Sequence, residues 1–290
     1  MATDDEAGHA VLQQAVARYQ AVLGPRLLGA YALGSLAHGG FSPLVSDVDL
    51  GLILTDPVEA SDPATVEGVA DEIKAGGSAL HERLSVFWGT RSTLEGSHPG
   101  GRFPPLDRLD LLENGRLLAG TECREGLPGP GRDELLVAGA EFALDFLGPG
   151  RDSAGGTPTR LGSLTPAGQE VIGEIRQPRR LAGQDPRHLT KIVLFPVRFL
   201  YTAATGRVGT NHAAAEHYRA DRDAPAFALV GEALRWRTTP PDPEAAAELL
   251  TRELLPLYLQ YIDDHIARLR GLGADDLAAA FAAWRRELTA

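Results

Sequence analysis

The stretch from Leu27 to Leu54, LLGAYALGSLAHGGFSPLVSDVDLGLIL, constrains this chain more than any other. It reads as strand, tight turn, short helix, loop and second strand. The apolar run Leu27–Leu33 stops abruptly at Gly34-Ser35. From Val48 to Leu54 the pattern alternates: Val48, Leu50, Leu52 and Leu54 share one face, and Asp47, Asp49 and Gly51 share the other. Two carboxylates so close repel unless a cation lies between them. Hard oxygen ligands of this kind suit Mg²⁺, which takes one or two carboxylates plus substrate phosphates. Gly34 allows a close backbone approach, and the Ser35 hydroxyl and nearby amides can donate to phosphate oxygens. A helix opening at Ser35 adds partial positive charge there. An Asp-x-Asp on a strand, or a Gly-Ser turn, is commonplace alone. The pairing of the two, with Ser35 twelve residues before Asp47 and apolar strands on both sides, points to a phosphate cradle facing a metal-binding pair.

Gly34-Ser35, Gly39-Gly40 and Ser46-Asp47-Val48-Asp49-Leu50 together resemble the signature of the polymerase-β-like nucleotidyltransferases. The nearer resemblance is to the aminoglycoside adenylyltransferases that modify streptomycin and spectinomycin. The stretch from Asp185 to Tyr218, with Tyr201 and Gly206-Arg207 inside it, is similar to their helical C-terminal domain. The resemblance implies an α/β (α+β) nucleotidyltransferase domain with a mixed sheet, followed by an all-α helical bundle. It also implies ATP or another NTP as substrate, divalent metals held by Asp47 and Asp49, and nucleotidyl transfer to a hydroxyl of a small-molecule acceptor.

The chain departs from that family's pattern in two places. Alignment of RLSVFW with the family's third strand puts Arg83 where a carboxylate is expected, with Glu82 beside it. Neighbouring strand residues face opposite ways unless a bulge intervenes, so Glu82 is the candidate base only with such a bulge. Asp107 and Asp110 are the alternatives. Beyond Gly206, where a lysine for the triphosphate is expected, stand Asn211 and His212, and Arg207 or Lys191 is the substitute cation. The departures leave three readings: a base placed elsewhere, an acceptor needing no strong base, or a degenerate protein that binds nucleotide or ligand without turnover.

With 290 residues the chain is long enough for one domain or two. The best linker, Leu127 to Gly131, divides an expected nucleotidyltransferase domain, 1–126, from a helical domain, 127–290. The net charge of −11 argues against a nucleic-acid substrate, since such binding draws on basic patches, and suits a cationic acceptor. It also weighs against RNA as the target of a modifying toxin-like relative. The acidic start, the absence of a long apolar run and the lone Cys123 predict a cytoplasmic protein with no disulfide framework and no membrane span. Abundant Ala, Gly, Pro and Arg with scarce Lys suggests a bacterial source.

Helices are expected over Glu6–Leu23, from Asp62-Pro63 (Asp62 as N-cap, Pro63 in the first position) to about Lys74, over Leu106–Asn114 and over Asp133–Leu147, with strands at Arg83–Trp88 and Arg116–Ala119. Further helices should open at Thr165-Pro166, Asp185-Pro186 (kinked at Pro196), Asp242-Pro243 and Asp275. Gly148 to Pro158 is too rich in Gly and Pro for regular structure. Trp88, Trp236, Tyr201 and Tyr218 read as core aromatics rather than stacking platforms, and Glu141 with Asp145 as a solvated face. His38 reads as a surface residue, and His212 and His217 do not share a helix face. No spacing matches a zinc site.

Overall fold

A computed structural model describes residues 4–148 and 166–290. The chain divides into two compact units, Met1–Pro130 and Gly131–Ala290. Apart from Gly148, the irregular Gly148–Pro158 stretch lies outside the described residues, as does Thr165.

The first unit is built on a mixed four-stranded sheet. Its strands are β1 (Leu27–Leu33), β2 (Val48–Leu54), β3 (Leu84–Thr90) and β4 (Arg116–Gly120), in spatial order β3-β2-β1-β4. β1 runs antiparallel to β2 and β4, and β2 runs parallel to β3. The helices are α1 (Asp4–Leu23), α2 (Gly34–His38), α3 (Asp62–Lys74), α4 (Ala79–Glu82), α5 (Arg91–Leu94) and α6 (Pro105–Asn114). The alternation along β2 decides which face meets which helix. Val48, Leu50, Leu52 and Leu54 join Ala30 and Ala32 of β1 and Leu84, Val86 and Trp88 of β3 in one core with α1 and α3. Tyr31, Leu33 and Ile53 face the other way and pack on Leu94 and Leu111, the latter from α6. Asp49 therefore lies on the α6 side of the sheet. Tyr19 Oη donates to the Val66 carbonyl at 2.9 Å and ties α1 to α3.

Two expectations need correction here. Asp62 does not cap α3: Ser61 holds the N-cap position, and Asp62 is buried, accepting from the Glu59 amide and from Arg26. The third strand begins at Leu84, not Arg83, because the chain first closes the short helix α4.

Among its described residues the second unit is built of helices: α7 (Arg132–Phe146), α8 (Pro166–Arg176), α9 (Pro178–Ala182), α10 (Pro186–Thr205), α11 (Asn211–Tyr218), α12 (Phe227–Trp236), α13 (Pro243–Leu272) and α14 (Asp275–Thr289). Asp185 and Asp242 cap α10 and α13 as the Asp-Pro pairs predict, accepting from the amides of His188 and Ala245. α10 continues through Pro196 to Thr205. Trp88, Trp236 and Tyr218 are buried, in line with their reading as core residues. Among the described residues no helix is long and apolar enough to cross a membrane.

α13 is the spine of this unit. Its Tyr258 Oη donates to the Ile192 carbonyl at 2.9 Å, and its Tyr261 and His265 pack against Phe281 and Trp284 of α14. His265 is 1% exposed, with Nδ1 3.2 Å from the Tyr261 carbonyl. Burial pushes its pKa down to about 4, against a weaker opposing pull from Asp264. The folded pKa lies below the unfolded value of about 6.5, so the unfolded chain takes up the proton first as pH falls. The stability held above pH 6.5 is lost as pH drops toward 4. Between pH 7 and pH 5 this linkage amounts to about 2 kcal/mol. His265→Gln should flatten the acid limb of stability by about that amount in denaturant titrations at the two pH values, and an unchanged slope would show that His265 does not control it.

Candidate functional site

The first unit gathers its chemistry where β1 ends and β2 begins. Leu33 pairs with Asp49 across the two strands, so the Asp49 side chain emerges beside the turn that β1 enters. Gly34 takes that turn with φ +59°, the left-handed region that favours glycine. A Cβ placed on Gly34 would run into Asp49 Oδ2. The carboxylate thus occupies the space that the missing side chain leaves, against Gly34, the residue before Ser35. Ser35, Asp47 and Asp49 are each half-buried.

The loop into β2 is held firmly. Ser42 and Ser46 are buried, and the Ser42 amide donates to Ser46 Oγ at 3.0 Å while the Ser46 amide donates to the Ser42 carbonyl at 2.8 Å. Arg83 donates through Nη1 to the carbonyls of Pro43 and Leu44 at 2.9 and 3.1 Å. The Val48 amide donates to the Arg83 carbonyl at 3.1 Å. Arg83, aligned with a catalytic position by sequence, instead braces the segment that delivers Asp47.

The parallel register places Ser85 level with Asp49 and Phe87 level with Gly51. β3, LSVFWGT, carries no carboxylate. Glu82 lies off the strand, exposed at the end of α4. The expectation for Glu82 rested on a strand starting at Arg83, and the observed start removes that support. Asp110 is the carboxylate that reaches the turn. It comes from α6, is 8% exposed, and accepts the Gly34 amide on Oδ2 at 2.6 Å and the Asn114 amide group on Oδ1 at 2.8 Å. No local sequence signal joins Asp110 to Gly34 across so long a separation.

Lys191 and Arg207 belong to the second unit. Lys191 is half-buried with Nζ 5.9 Å from the Phe195 ring centre, and Arg207 is exposed just after the α10 cap at Gly206. The same unit holds a cleft of about 350 Å³ lined by Glu232, Arg235, Trp236, Pro240 and Arg252. Arg235 is paired with Glu232 and Arg252 with Glu253, so the cleft's cations are engaged locally.

Among the described residues no three His, Cys, Asp or Glu side chains are gathered to hold a metal ion by themselves. The Asp49 carboxylate at the Gly34 turn, with Asp47 two residues before it, is a donor set that fits Mg²⁺ completed by substrate phosphates rather than an all-protein cage.

No protein-family model matches the chain, and no curated protein matches it. Among solved structures it is similar to a spectinomycin adenyltransferase from Enterococcus faecialis, crystallised with ATP and spectinomycin. The match has a TM-score of 0.52 at 12% identity, covering 86% of this chain and 98% of that one. The likeness is one of fold: a mixed four-stranded α/β sheet domain followed by a helical part.

Gly34→Ala should destabilise the first unit by about 1–3 kcal/mol, from left-handed strain and displacement of Asp49. Gly24→Ala, at φ +51° with nothing near its Cβ, carries the strain alone. Equal losses in denaturant titrations of the two variants would remove the Asp49 contact from the account.

Proposed function

We propose that the protein is a Mg²⁺-dependent nucleotidyltransferase that moves a nucleoside monophosphate, from ATP or another NTP, to a hydroxyl of a small molecule. The observation that carries this reading is the placement of the Asp49 carboxylate over the Gly34 turn at the strand end. An aminoglycoside-like antibiotic or a natural-product intermediate is the leading acceptor, and the acidic chain favours a cationic one. The reading is supported by the fold shared with a spectinomycin adenyltransferase and by the Gly34-Ser35 and Asp47-x-Asp49 spacing.

In this reading Asp47 and Asp49 hold the metal. Bound Mg²⁺ would offset charge on the α-phosphate and the leaving pyrophosphate. Backbone amides at Gly34 and the Ser35 hydroxyl orient phosphate oxygens. Transfer forms a bond from the acceptor oxygen to the α-phosphorus and breaks the bond to pyrophosphate, and the acceptor proton goes to a base or to water. Phosphoryl-type transfer depends mainly on positioning and charge, so a site without a strand carboxylate can still serve an acceptor that needs no strong base.

A second reading is favoured by Ser85, which stands where a carboxylate from β3 would be level with Asp49. In it the protein binds nucleotide and does not turn over.

Calorimetry with ATP and Mg²⁺, paired with pyrophosphate release over a panel of hydroxyl acceptors, separates the two. Turnover with at least one acceptor is expected, and binding without release for every acceptor would favour the silent reading. Asp47→Asn combined with Asp49→Asn should reduce release by about a hundredfold or more. Retained turnover in that variant would contradict the metal assignment.

A further inference from the structure

We propose that Asp110 is a built-in occupant of the phosphate-binding turn, an anion that an incoming nucleotide must displace from the Gly34 amide. The inference rests on the nucleotide-binding reading given above and adds what sets the affinity of that site.

The contact is made by a side chain that is buried and aimed. Both Asp110 carboxylate oxygens accept hydrogen bonds, Oδ2 from the Gly34 amide at 2.6 Å and Oδ1 from Asn114 Nδ2 at 2.8 Å. Asn114 lies one turn further along α6, so the helix itself holds the carboxylate in place. α6 is in turn fixed to β1. Arg124 Nη1 donates to the carbonyls of Leu111 and Gly115 at the end of α6, at 3.2 and 2.6 Å. The same guanidinium pairs with Glu122 and lies 5.2 Å from the centre of the Tyr31 ring. Tyr31 is a β1 residue, accepts from the Cys123 amide at 2.7 Å and donates to Glu122. The strand that runs into Gly34 and the helix that carries Asp110 are therefore locked together.

A carboxylate oxygen accepting a backbone N–H at a glycine turn makes the same bond that a phosphate oxygen would make there. The two cannot share one N–H at full strength. The second effect is charge: Asp110 and Asp49 both stand at Gly34, and each opposes a further anion unless a divalent cation is present. Nucleotide affinity is then set by a competition in which Asp110 is the internal ligand.

Asp110→Asn separates these terms. The amide oxygen can keep the Gly34 contact, and Asn114 can turn its own amide to accept from the new NH₂. Only the charge is lost, and a neutral acceptor is displaced more easily than an ionised one. Calorimetry with ATP and with inorganic tripolyphosphate, each with Mg²⁺, should show about fivefold tighter binding for Asp110→Asn. The gain should be equal for the two probes, because it lies in the phosphates. Asn114→Ala, which loosens the hold on Asp110 and keeps its charge, should move both affinities in the same direction by a smaller factor. It also carries the test if Asp110→Asn does not fold. Unchanged or weaker binding in the folded variants would overturn the proposal and leave the nucleotide reading standing. Binding by Asp110→Asn where the natural protein binds nothing would support it. No binding by any of the three proteins would remove the nucleotide reading, and this inference with it.

Discussion

The first unit turns on one residue without a side chain. β1 must stop, reverse its backbone and leave room for a carboxylate delivered by the strand beside it. Only a glycine at φ +59° meets all three demands, because any Cβ there collides with Asp49. The consequences run outward from that point. The Leu33–Asp49 register fixes which β2 residues face α1 and α3 and which face α6. A slip of one residue would turn the acids toward Leu12 and Tyr19 and move Leu50 and Leu52 to the α6 face, out of the core they build. The apolar alternation that builds the core is therefore the same constraint that aims the acids.

That economy explains why so much was legible in the residues. β2 occupies Val48–Leu54 because a clean period of two over seven residues has no other comfortable geometry beside a twisted sheet. The Asp-Pro openings of α10 and α13 follow from a carboxylate that caps and a ring that presets φ. Where the reading went astray, the deciding contact lay far away in the chain. Arg83 and Leu84 look equally strand-like in RLSVFW, but Arg83 caps α4 outside the extended region, and the parallel register with β2 begins at Leu84. Asp62 sits beside a proline in a good capping position, yet Arg26 draws it into a buried pair. Asp110 stands in the sequence only as an alternative base, with no local mark of its contact with Gly34. Its partner is an amide in a turn seventy-six positions earlier, brought near only by packing of Leu111 on the sheet.

The strand beside Asp49 sharpens what kind of chemistry the site can support. Ser85 is a weak base and a neutral ligand, so β3 contributes neither a metal-binding charge nor a strong proton acceptor. What the site does have is one acid on β2, a second just before that strand, and a third from α6 that accepts the Gly34 amide. This arrangement manages negative charge more than it manages protons. For transfer at phosphorus, where charge builds on oxygens and the metal and donors carry the load, such a division is workable. For an acceptor hydroxyl of ordinary acidity, it places the burden on positioning.

Positioning is where the surrounding structure is most heavily invested. Asp47 follows a loop closed on itself by Ser42 and Ser46 and braced from outside by Arg83. Gly34 is held between strand pairing on one side and an α6 carboxylate on the other. Neither segment has to be ordered at the moment a ligand arrives, so little of the binding free energy goes into fixing the chain. Using Arg83 as a brace has a cost in charge: a cation next to the start of β2 is committed to the carbonyls of Pro43 and Leu44. The first unit then keeps its acids rigid and leaves positive charge to come with the ligand, as a divalent ion, or from basic residues elsewhere in the chain. A site that is rigid, acidic and short of its own cations should respond to nucleotide only together with metal, and this follows from the carbonyl contacts of Arg83 as directly as from the acids themselves.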